Sequence, residues 1–260
     1  MVTLPCFDEA ARLDGAALLA FLDATPEVSL VLVDDGSRGG TLALLRDLAA
    51  KRPGRIDVLA LPENRGKAEA VRQGILHSLA RAPDYVGYWD ADLATPLDAI
   101  PSFAHLLDER PEIDLVMGAR IALLGRAVER GTLRHYVGRV GATLIAHVLR
   151  MRVYDTQCGA KLLRVAGGAE RLFREPFSTR WAFDVELLVR MIRDRDARGL
   201  PPAAGVIYEY PLSTWREVPG SKVRPRDYLR SAGDLWRIHR RYFSGARRPT
   251  APAAPRSEAR

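Results

Sequence analysis

Two aspartates, Asp90 and Asp92, end the apolar, aromatic run in YVGYWDADLATP and are the residues that most clearly suggest chemistry. A helix-capping turn would explain at most one of them, with Pro96 near the first turn of the helix predicted to follow. Hard cations such as Mg²⁺ and Mn²⁺ bind carboxylate oxygens and complete their coordination with water and diphosphate oxygens. Although such a pair also occurs by chance, it indicates a site for Mg²⁺ or Mn²⁺ together with a diphosphate.

A second acidic pair, Asp34 and Asp35, lies in VDDGSRGGT, residues 33–41. One interpretation is a strand, a turn and a helix capped by Ser37 or Thr41, which leaves the two adjacent acids unexplained. Carboxylates at a strand end can accept hydrogen bonds from a base N–H or a ribose hydroxyl, so Asp35 is predicted to contact a nucleoside. No G-x-G-x-x-G motif leads into a helix here, which argues against a dehydrogenase.

The segment ENRGKAEAVRQGI, residues 63–75, places Asn64, Arg65 and Lys67 at the start of a predicted helix. Backbone N–H groups at a helix start, together with cationic side chains, can bind an anion. The alternative is a solvated helix start without a ligand. On this segment alone both interpretations stay open.

The elements that must position these residues alternate between strand and helix patterns. Helix-like spacing of apolar residues occurs over 9–23, 66–81 and 98–109, which predicts a mostly parallel sheet covered by helices. In such sheets ligands bind beyond the carboxyl ends of the strands, where the acidic pairs lie. The strand-like runs are VTLP (2–5), SLVLVDD (29–35), RIDVLAL (55–61), YVGYWD (85–90), DLVMGAR (114–120) and GVIYEYPL (205–212).

Composition sets the outer limits of the prediction. The 260 residues are 47% hydrophobic, enough for one α/β domain, and the formal net charge of +7 favours an anionic partner. Two distant cysteines argue against a disulfide scaffold or a thiolate metal site. No apolar run reaches the roughly 18 residues of a spanning helix. We predict a catalytic domain over 1–225, a basic amphipathic helix over 226–244 and a disordered Pro/Ala/Arg tail over 245–260.

Taken in order, these segments resemble family-2 glycosyltransferases, in which a Pro–aromatic–Asn–Glu start, V-D-D-G-S, an N-x-G-K helix start and D-A-D follow one another. Three later segments resemble the polyprenyl- or dolichyl-phosphate glucosyltransferase (dolichyl-phosphate mannose synthase-like) branch. The resemblance extends from residue 2 to about residue 240 and is more specific than any single motif. The later segments are DTQCGAKLLR (155–164), RWAFDVELL (180–188) and WREVPGSKVRPRDYL (215–229).

The resemblance implies a GT-A-type fold and a metal-dependent transfer that inverts the anomeric carbon. The expected donor is UDP-glucose, and the expected acceptor is a polyprenyl or dolichyl phosphate. A lipid phosphate, with a second pKa near about 6, needs little help from a base, whereas a hydroxyl acceptor would need one. The chain departs from the family pattern at Asp8, where Asn is usual, at Gly39, where Asp is common, and at Ala68 and Glu69, where small residues are usual.

The residues that the resemblance implies fall into three groups. Metal ligands would be Asp90 and Asp92, and the expected cation is Mg²⁺ or Mn²⁺. The donor site would comprise Pro5, Phe7, Asp8, Glu9, Asp35, Asn64, Lys67, Asp90, Ala91 and Gln157. The reaction centre would comprise Asp92, Asp184, Glu186, Arg120 and Arg134, with Asp184 or Glu186 as the base for a hydroxyl acceptor.

Arginines are expected to hold the acceptor phosphate, because a guanidinium group can bind phosphate through two hydrogen bonds. Arg120 closes a predicted strand, and Arg134 opens an amphipathic helix within residues 131–151, whose apolar face suits either the core or a membrane. Arg126 and Arg139 are the next candidates.

The predicted partners are a nucleotide sugar, the lipid phosphate and an acidic membrane surface, without nucleic acid. The basic stretch 222–241 suits peripheral attachment to such a surface, so we expect a cytoplasmic protein bound at the inner face of a membrane. Three alternatives stay open: a different donor such as GDP-mannose or a hydroxyl acceptor, a sugar-phosphate nucleotidyltransferase, and a non-catalytic nucleotide-sugar-binding protein. The nucleotidyltransferase is disfavoured because no Gly-rich, basic loop follows the first strand.

Overall fold

A computed structural model of the chain shows a central sheet of seven strands. The structure describes residues 1–121, 127–128, 145–146, 149, 151–180, 182–216, 218 and 225–243, without the side chains of 128 and 225–232. The strands are β1 Val2–Cys6, β2 Leu30–Asp34, β3 Ile56–Ala60, β4 Tyr85–Trp89, β5 Leu115–Ala119, β7 Ala160–Arg164 and β8 Ile207–Pro211. A two-stranded parallel sheet pairs β6, Ala127–Val128, with β9, Thr214–Trp215.

Six of the seven strands were predicted, and the mostly parallel sheet is confirmed. The strand order is β3-β2-β1-β4-β7-β5-β8. Strands β1 to β4 run parallel to one another, and β5 runs parallel to β8. Strand β7 lies between β4 and β5 and is antiparallel to both. Strand β7, AKLLR, escaped prediction because Lys161 and Arg164 interrupt its apolar pattern. Lys161 is nevertheless fully buried.

Helices cover both faces of the sheet. They are α1 Gly15–Ala24, α2 Thr41–Lys51, α3 Lys67–Leu79, α4 Ala99–Glu109, α5 Ala169–Phe173, α6 Phe183–Ala197 and α7 Pro225–Phe243, with a 3₁₀ helix at Ala203–Gly205. The predicted first helix was too long at its start. Asp14 caps α1 by accepting a hydrogen bond from the Ala17 N–H (2.9 Å), so the helix begins at Gly15 rather than at residue 9.

Two apolar cores lie on opposite faces of the sheet. On one face Leu18 of α1, Leu45 of α2 and Phe103 of α4 are fully buried. On the other face α3, α5, α6 and α7 pack together, where Phe183 and Ile238 are fully buried. The packing fixes the direction of strands β1 to β4, whose carboxyl ends meet at one edge of the sheet.

The C-terminal helix spans Pro225–Phe243, close to the stretch predicted for it, and residues 245–260 lie outside the described residues. The division into a catalytic domain, a helix and a tail stays a prediction. Across the described parts of the chain, every helix is too short or too polar to cross a membrane.

Candidate active site

The loop after β1 is held against the loop after β2 by hydrogen bonds. The backbone N–H of Asp8 donates to Ser37 Oγ (2.9 Å), and that of Glu9 donates to Thr41 Oγ1 (3.0 Å). Ser37 and Thr41 therefore do not cap α2, whose N-cap is Gly40. Asp8 adopts a φ of +49°, which Asp and Asn tolerate better than other residues with side chains. This explains why Asp8 can stand where the family usually has Asn.

The Asp35 carboxylate supports the loop that leads into α3. It accepts hydrogen bonds from the Asn64 side-chain amide (2.9 Å) and from the N–H groups of Arg65 (2.8 Å) and Gly66 (2.8 Å). Burial raises the pKa of Asp35. No ligand contact tests its predicted role toward a nucleoside, which stays a prediction. The adjacent Asp34 is buried, and its Oδ1 has no hydrogen-bond partner in the part of the chain that the structure describes.

Lys67, the first residue of α3, forms an ion pair with Asp90 at the end of β4. Burial alone would lower the pKa of the Lys67 ammonium, but the negative charges of Asp90 and Asp184 outweigh it, so the pKa is raised. The pair brings together two positions that the sequence predicted for diphosphate binding. Both remain partly exposed, with 22% of the Lys67 side chain and 36% of the Asp90 side chain accessible.

Gly159, which the sequence did not single out for this role, packs directly against Asp90. Its carbonyl accepts a hydrogen bond from the Asp90 N–H (2.9 Å), and a Cβ atom at position 159 would lie 1.9 Å from Asp90 Oδ2. Only glycine leaves room for the carboxylate there. The signal in the sequence was the glycine in the segment DTQCGAKLLR, which resembles the glucosyltransferase branch.

Asp92 is partly buried beside Asp90. Its Oδ1 accepts a hydrogen bond from the Ala94 N–H (3.1 Å), and its Oδ2 lies 3.8 Å from Arg12 Nη2. Burial and the negative charge of Asp90 raise the pKa of Asp92. A turn-forming hydrogen bond therefore accounts for one oxygen of the pair, while cationic side chains, Arg12 and Lys67, lie beside two of the others.

The chemistry of this carboxylate pair fits a hard divalent cation. Burial and, after it, the neighbouring charge of Asp90 raise the pKa of Asp92, and a cation bound by both carboxylates would offset each effect. Within the described ranges no group of three or more His, Cys, Asp or Glu residues is arranged to hold a metal. A bound cation would therefore draw its remaining ligands from water and a diphosphate, as Mg²⁺ usually does.

Asp184, near the start of α6, lies in a buried polar network. Its Oδ1 accepts hydrogen bonds from Lys161 Nζ (2.5 Å) and from the Tyr88 hydroxyl (2.5 Å). Lys161 also donates to the carbonyls of Thr156 (2.9 Å) and Cys158 (2.8 Å), so it ties the 156–158 loop to α6. Burial and the charge of Asp184 raise the pKa of Tyr88 well above its usual value.

Glu186 lies on a different side of α6 from Asp184. Its carboxylate is fully buried and accepts hydrogen bonds from Ser178, from Arg190 (2.9 Å) and from the Tyr242 hydroxyl of α7 (2.8 Å). These contacts tie α6 to α7 and do not join Glu186 to Asp90 or Asp92. Its predicted part in the reaction stays a prediction without a supporting contact.

Arg120 is held by a carboxylate. Its Nε and Nη2 atoms donate to the two oxygens of Asp155 (2.6 and 2.8 Å), which in turn is held through its N–H by Glu209 (2.8 Å). The Arg120 guanidinium group, which was predicted to bind the acceptor phosphate, is thus already hydrogen-bonded to a carboxylate. Arg134, Arg126 and Arg139, and most of the helix predicted within 131–151, lie outside the described residues.

The remaining predicted donor residues lie at the same edge of the sheet or in the loop that approaches it. Pro5 belongs to β1, and Phe7 follows it, partly buried. Ala91 is buried between the two aspartates, whereas Asn64 and Gln157 are exposed. The sequence correctly placed Lys67, Asp90 and Asp92 at one edge of the sheet, whereas their binding of a donor stays a prediction. It did not reveal the close packing of Gly159 or the buried ammonium of Lys161.

Comparison with known proteins agrees with this geometry. The model of Glycosyl transferase family 2 matches residues 1–167. A relative from Dictyostelium discoideum, named dolichyl-phosphate beta-glucosyltransferase, is 30% identical over 94% of this chain and 75% of its own. A relative of the same name from Drosophila melanogaster is 31% identical over 94% of this chain and 76% of its own.

A solved structure shows the same fold. Glucosyl-3-phosphoglycerate synthase from Mycobacterium tuberculosis, in complex with Mn²⁺ and UDP-glucose, superposes with a TM-score of 0.61 at 20% identity. The superposition covers 91% of this chain and 75% of that one. This likeness confirms the predicted GT-A-type fold.

Proposed function

Because the chain belongs to glycosyl transferase family 2, we propose that it transfers glucose from UDP-glucose to a polyprenyl or dolichyl phosphate. The substrates are inferred from the relatives named dolichyl-phosphate beta-glucosyltransferase, which align with 94% of this chain. The alignment extends well beyond residue 167, where the family model ends. The proposal therefore draws on the later segments of the chain as well as on the donor edge.

The observation that carries the proposal is the cluster formed by Asp90, Asp92 and Lys67 at the carboxyl ends of the strands. Two carboxylates and an ammonium group at one strand edge suit a diphosphate that arrives with a cation, because each charge then gains an opposite partner. Gly159 lets the 155–160 loop come close to Asp90.

A divalent cation, Mg²⁺ or Mn²⁺, would be held by Asp90 and Asp92. When bound, it would supply positive charge that stabilises the departing diphosphate. The structural neighbour with Mn²⁺ and UDP-glucose supports a cation of this class. Lys67, which pairs with Asp90, is placed to share the charge of the diphosphate.

For a phosphate acceptor the reaction needs no strong base. The acceptor oxyanion would attack the anomeric carbon from the face opposite the leaving diphosphate, which inverts that carbon and gives a β-linked product. Asp184 is engaged by Lys161 and Tyr88, which suits a residue that fixes the site more than one that removes a proton. Arg134 remains the proposed ligand of the acceptor phosphate, since Arg120 already binds Asp155.

We also propose peripheral attachment to an acidic membrane, where a lipid acceptor would be found. On the outer surface of α7, Trp236 is 63% exposed, with Arg237, Arg240 and Arg241 exposed around it. Arg240 lies over the Trp236 ring, 5.5 Å from its centroid. An interfacial aromatic ring among cationic side chains suits a membrane surface that carries negative charge.

The test is a panel of nucleotide sugars incubated with purified protein, Mn²⁺ or Mg²⁺, and either a polyprenyl phosphate or the matching polyprenol. We expect glucolipid from UDP-glucose and the phosphate, and none after chelation of the metal. Transfer from GDP-mannose, or transfer to the polyprenol, would select one of the alternative substrates. A protein that binds nucleotide sugars but transfers none would support the non-catalytic alternative.

A further inference from the structure

The loop before α3 is held from two sides by residues distant in sequence. On one side, the Asp35 carboxylate accepts hydrogen bonds from the loop's N–H groups at Arg65 and Gly66 (each 2.8 Å). On the other side, Arg180, which precedes α6, donates to the loop's carbonyls. Its Nε donates to Arg65 O (3.1 Å), and its Nη2 donates to Asn64 O (3.0 Å). Between them, the two side chains bind both the donors and the acceptors of this short loop.

The side-chain amide of Asn64 takes part in the same arrangement. Its Oδ1 accepts a hydrogen bond from Arg180 Nη2 (2.8 Å), while its Nδ2 donates to Asp35 (2.9 Å). The Arg180 carbonyl also accepts a hydrogen bond from the Ala68 N–H (3.4 Å), in the first turn of α3. Arg180 therefore contacts this loop and the first turn of α3 through both its side chain and its backbone.

Gly66 makes this close contact possible. Its φ of +94° is accessible to glycine at little cost, and a Cβ atom there would lie 2.8 Å from Arg180 Nε. The next residue is Lys67, whose ammonium pairs with Asp90. The position of the Lys67 backbone is thus set by a loop that Arg180 and Asp35 hold in place.

We infer that Arg180 is a positioning residue for the donor site: it fixes residues 64–66 so that Lys67 points at Asp90 and, in the proposed reaction, at the diphosphate. The inference rests on the proposed function for its effect on nucleotide binding, but not for its effect on the loop. Arg180 would act through Lys67 and would not itself contact the reacting atoms. Lysine at this position would keep the charge but lose the forked hydrogen bonds.

The experiment compares the full chain with Arg180→Gln, Arg180→Lys and the control Arg174→Gln. Arg174 is an exposed arginine that pairs with Glu170 (3.1 Å) on the surface. Hydrogen exchange is measured over residues 62–70, and UDP affinity is measured by calorimetry with Mn²⁺ present. For Arg180→Gln we expect exchange about tenfold faster in this segment alone and UDP affinity about tenfold weaker, from the loss of charged hydrogen bonds. Arg180→Lys should lie in between, and Arg174→Gln should match the parent.

A double-mutant cycle with Lys67→Met tests whether Arg180 acts through Lys67. If it does, Arg180→Gln should weaken UDP binding much less in the Lys67→Met background than in the parent. Additive losses would overturn the inference, as would unchanged exchange over 62–70 or faster exchange with unaltered UDP affinity. If the parent protein does not bind UDP, that result counts against the proposed function. Hydrogen exchange over residues 62–70 in the Arg180 variants would then be the measurement that tests whether Arg180 positions the loop.

Discussion

Helix α6 carries two buried carboxylates two positions apart that belong to different regions of the molecule. The donor region comprises Asp184 with Lys161, Lys67, Asp90 and Asp92, linked by ion pairs and by the effect of Asp184 on the pKa of Lys67. The anchor region comprises Glu186 with Ser178, Arg190 and Tyr242. Residues two apart on a helix point to different sides, so one short motif can serve both regions.

The two regions differ in how completely their cations depend on the carboxylate. In the anchor region Arg190 also donates to the carbonyls of Leu172 (2.9 Å), Glu175 (2.6 Å) and Pro176 (2.7 Å). In the donor region Lys161 has no exposed surface, and besides its ion pair with Asp184 it donates to two carbonyls, those of Thr156 (2.9 Å) and Cys158 (2.8 Å). Loss of the cation should therefore be more costly beside Asp184 than beside Glu186, although both carboxylates are buried on the same helix.

The largest expected effect is on stability, from Lys161→Met. The substitution leaves the Asp184 carboxylate buried without its cation, which should lower the free energy of unfolding by about 3–5 kcal/mol. Denaturant unfolding of the parent and the variant measures this change in the free energy of unfolding. The double variant Lys161→Met with Asp184→Leu removes both charges and should recover much of the loss. If the single and double variants were equally unstable, the ion pair would not be the cause.

The next effect is on donor binding, from Asp92→Asn. It removes one anionic ligand beside Asp90, so Mn²⁺-dependent UDP affinity and kcat/KM should fall by about 100-fold. Calorimetry with and without Mn²⁺ measures the binding. Asp98→Asn, an exposed aspartate at the N-cap of α4, is the control and should leave both unchanged. Metal-dependent UDP binding that survives Asp92→Asn would remove Asp92 from the metal site.

A smaller effect is expected in the anchor region, from Glu186→Gln. The amide cannot accept every hydrogen bond that the carboxylate accepts, which should cost about 1–3 kcal/mol of stability. Exchange should accelerate in α7 around Tyr242, while UDP affinity stays at the parent value. Glu170→Gln, at an exposed glutamate, provides the control. A large loss of transfer to the lipid phosphate at unchanged stability would instead give Glu186 the catalytic part that the sequence predicted.

The smallest effect concerns the membrane, from Trp236→Ala. Removal of one interfacial ring should weaken binding to acidic vesicles several-fold at low salt and leave unfolding unchanged, because the ring is mostly exposed. Leu200→Ala removes the other large exposed apolar side chain in the described part of the chain, and its vesicle binding should equal that of the parent. High salt should release the parent protein. If Trp236→Ala and Leu200→Ala bound vesicles equally well, Trp236 on α7 would have no part in membrane attachment.

The sequence predicted which acidic and basic residues meet at one edge of the sheet, because strand ends and acidic motifs are local features. Asp90, Asp92 and Lys67 come together as the alternating pattern requires. The partners of these residues were harder to predict because they depend on distant parts of the chain. The Asp35 carboxylate accepts hydrogen bonds from the N–H groups of Arg65 and Gly66, which nothing in its own strand reveals, while its contact with a nucleoside stays a prediction.

The same limit applies to buried cations. A lysine within a strand pattern indicates an exposed edge, and only the fold shows that Asp184 lies opposite Lys161. Arg120 was predicted to bind a phosphate, but its guanidinium group binds Asp155. Nothing in the strand that Arg120 closes reveals this partner. In both cases a guanidinium or ammonium group is paired with a carboxylate from a distant part of the chain.

The position of β7 has a consequence for the order of folding. The strands made first, β1 to β4, can pair as soon as they are synthesised, but the exposed side of β4 must wait for β7, which follows β5 in the chain. Until then β4 presents an open strand edge, the kind of surface that promotes aggregation of nascent proteins. Gly159 and Lys161 arrive with β7. The step that protects this edge is therefore also the step that brings Gly159 against Asp90.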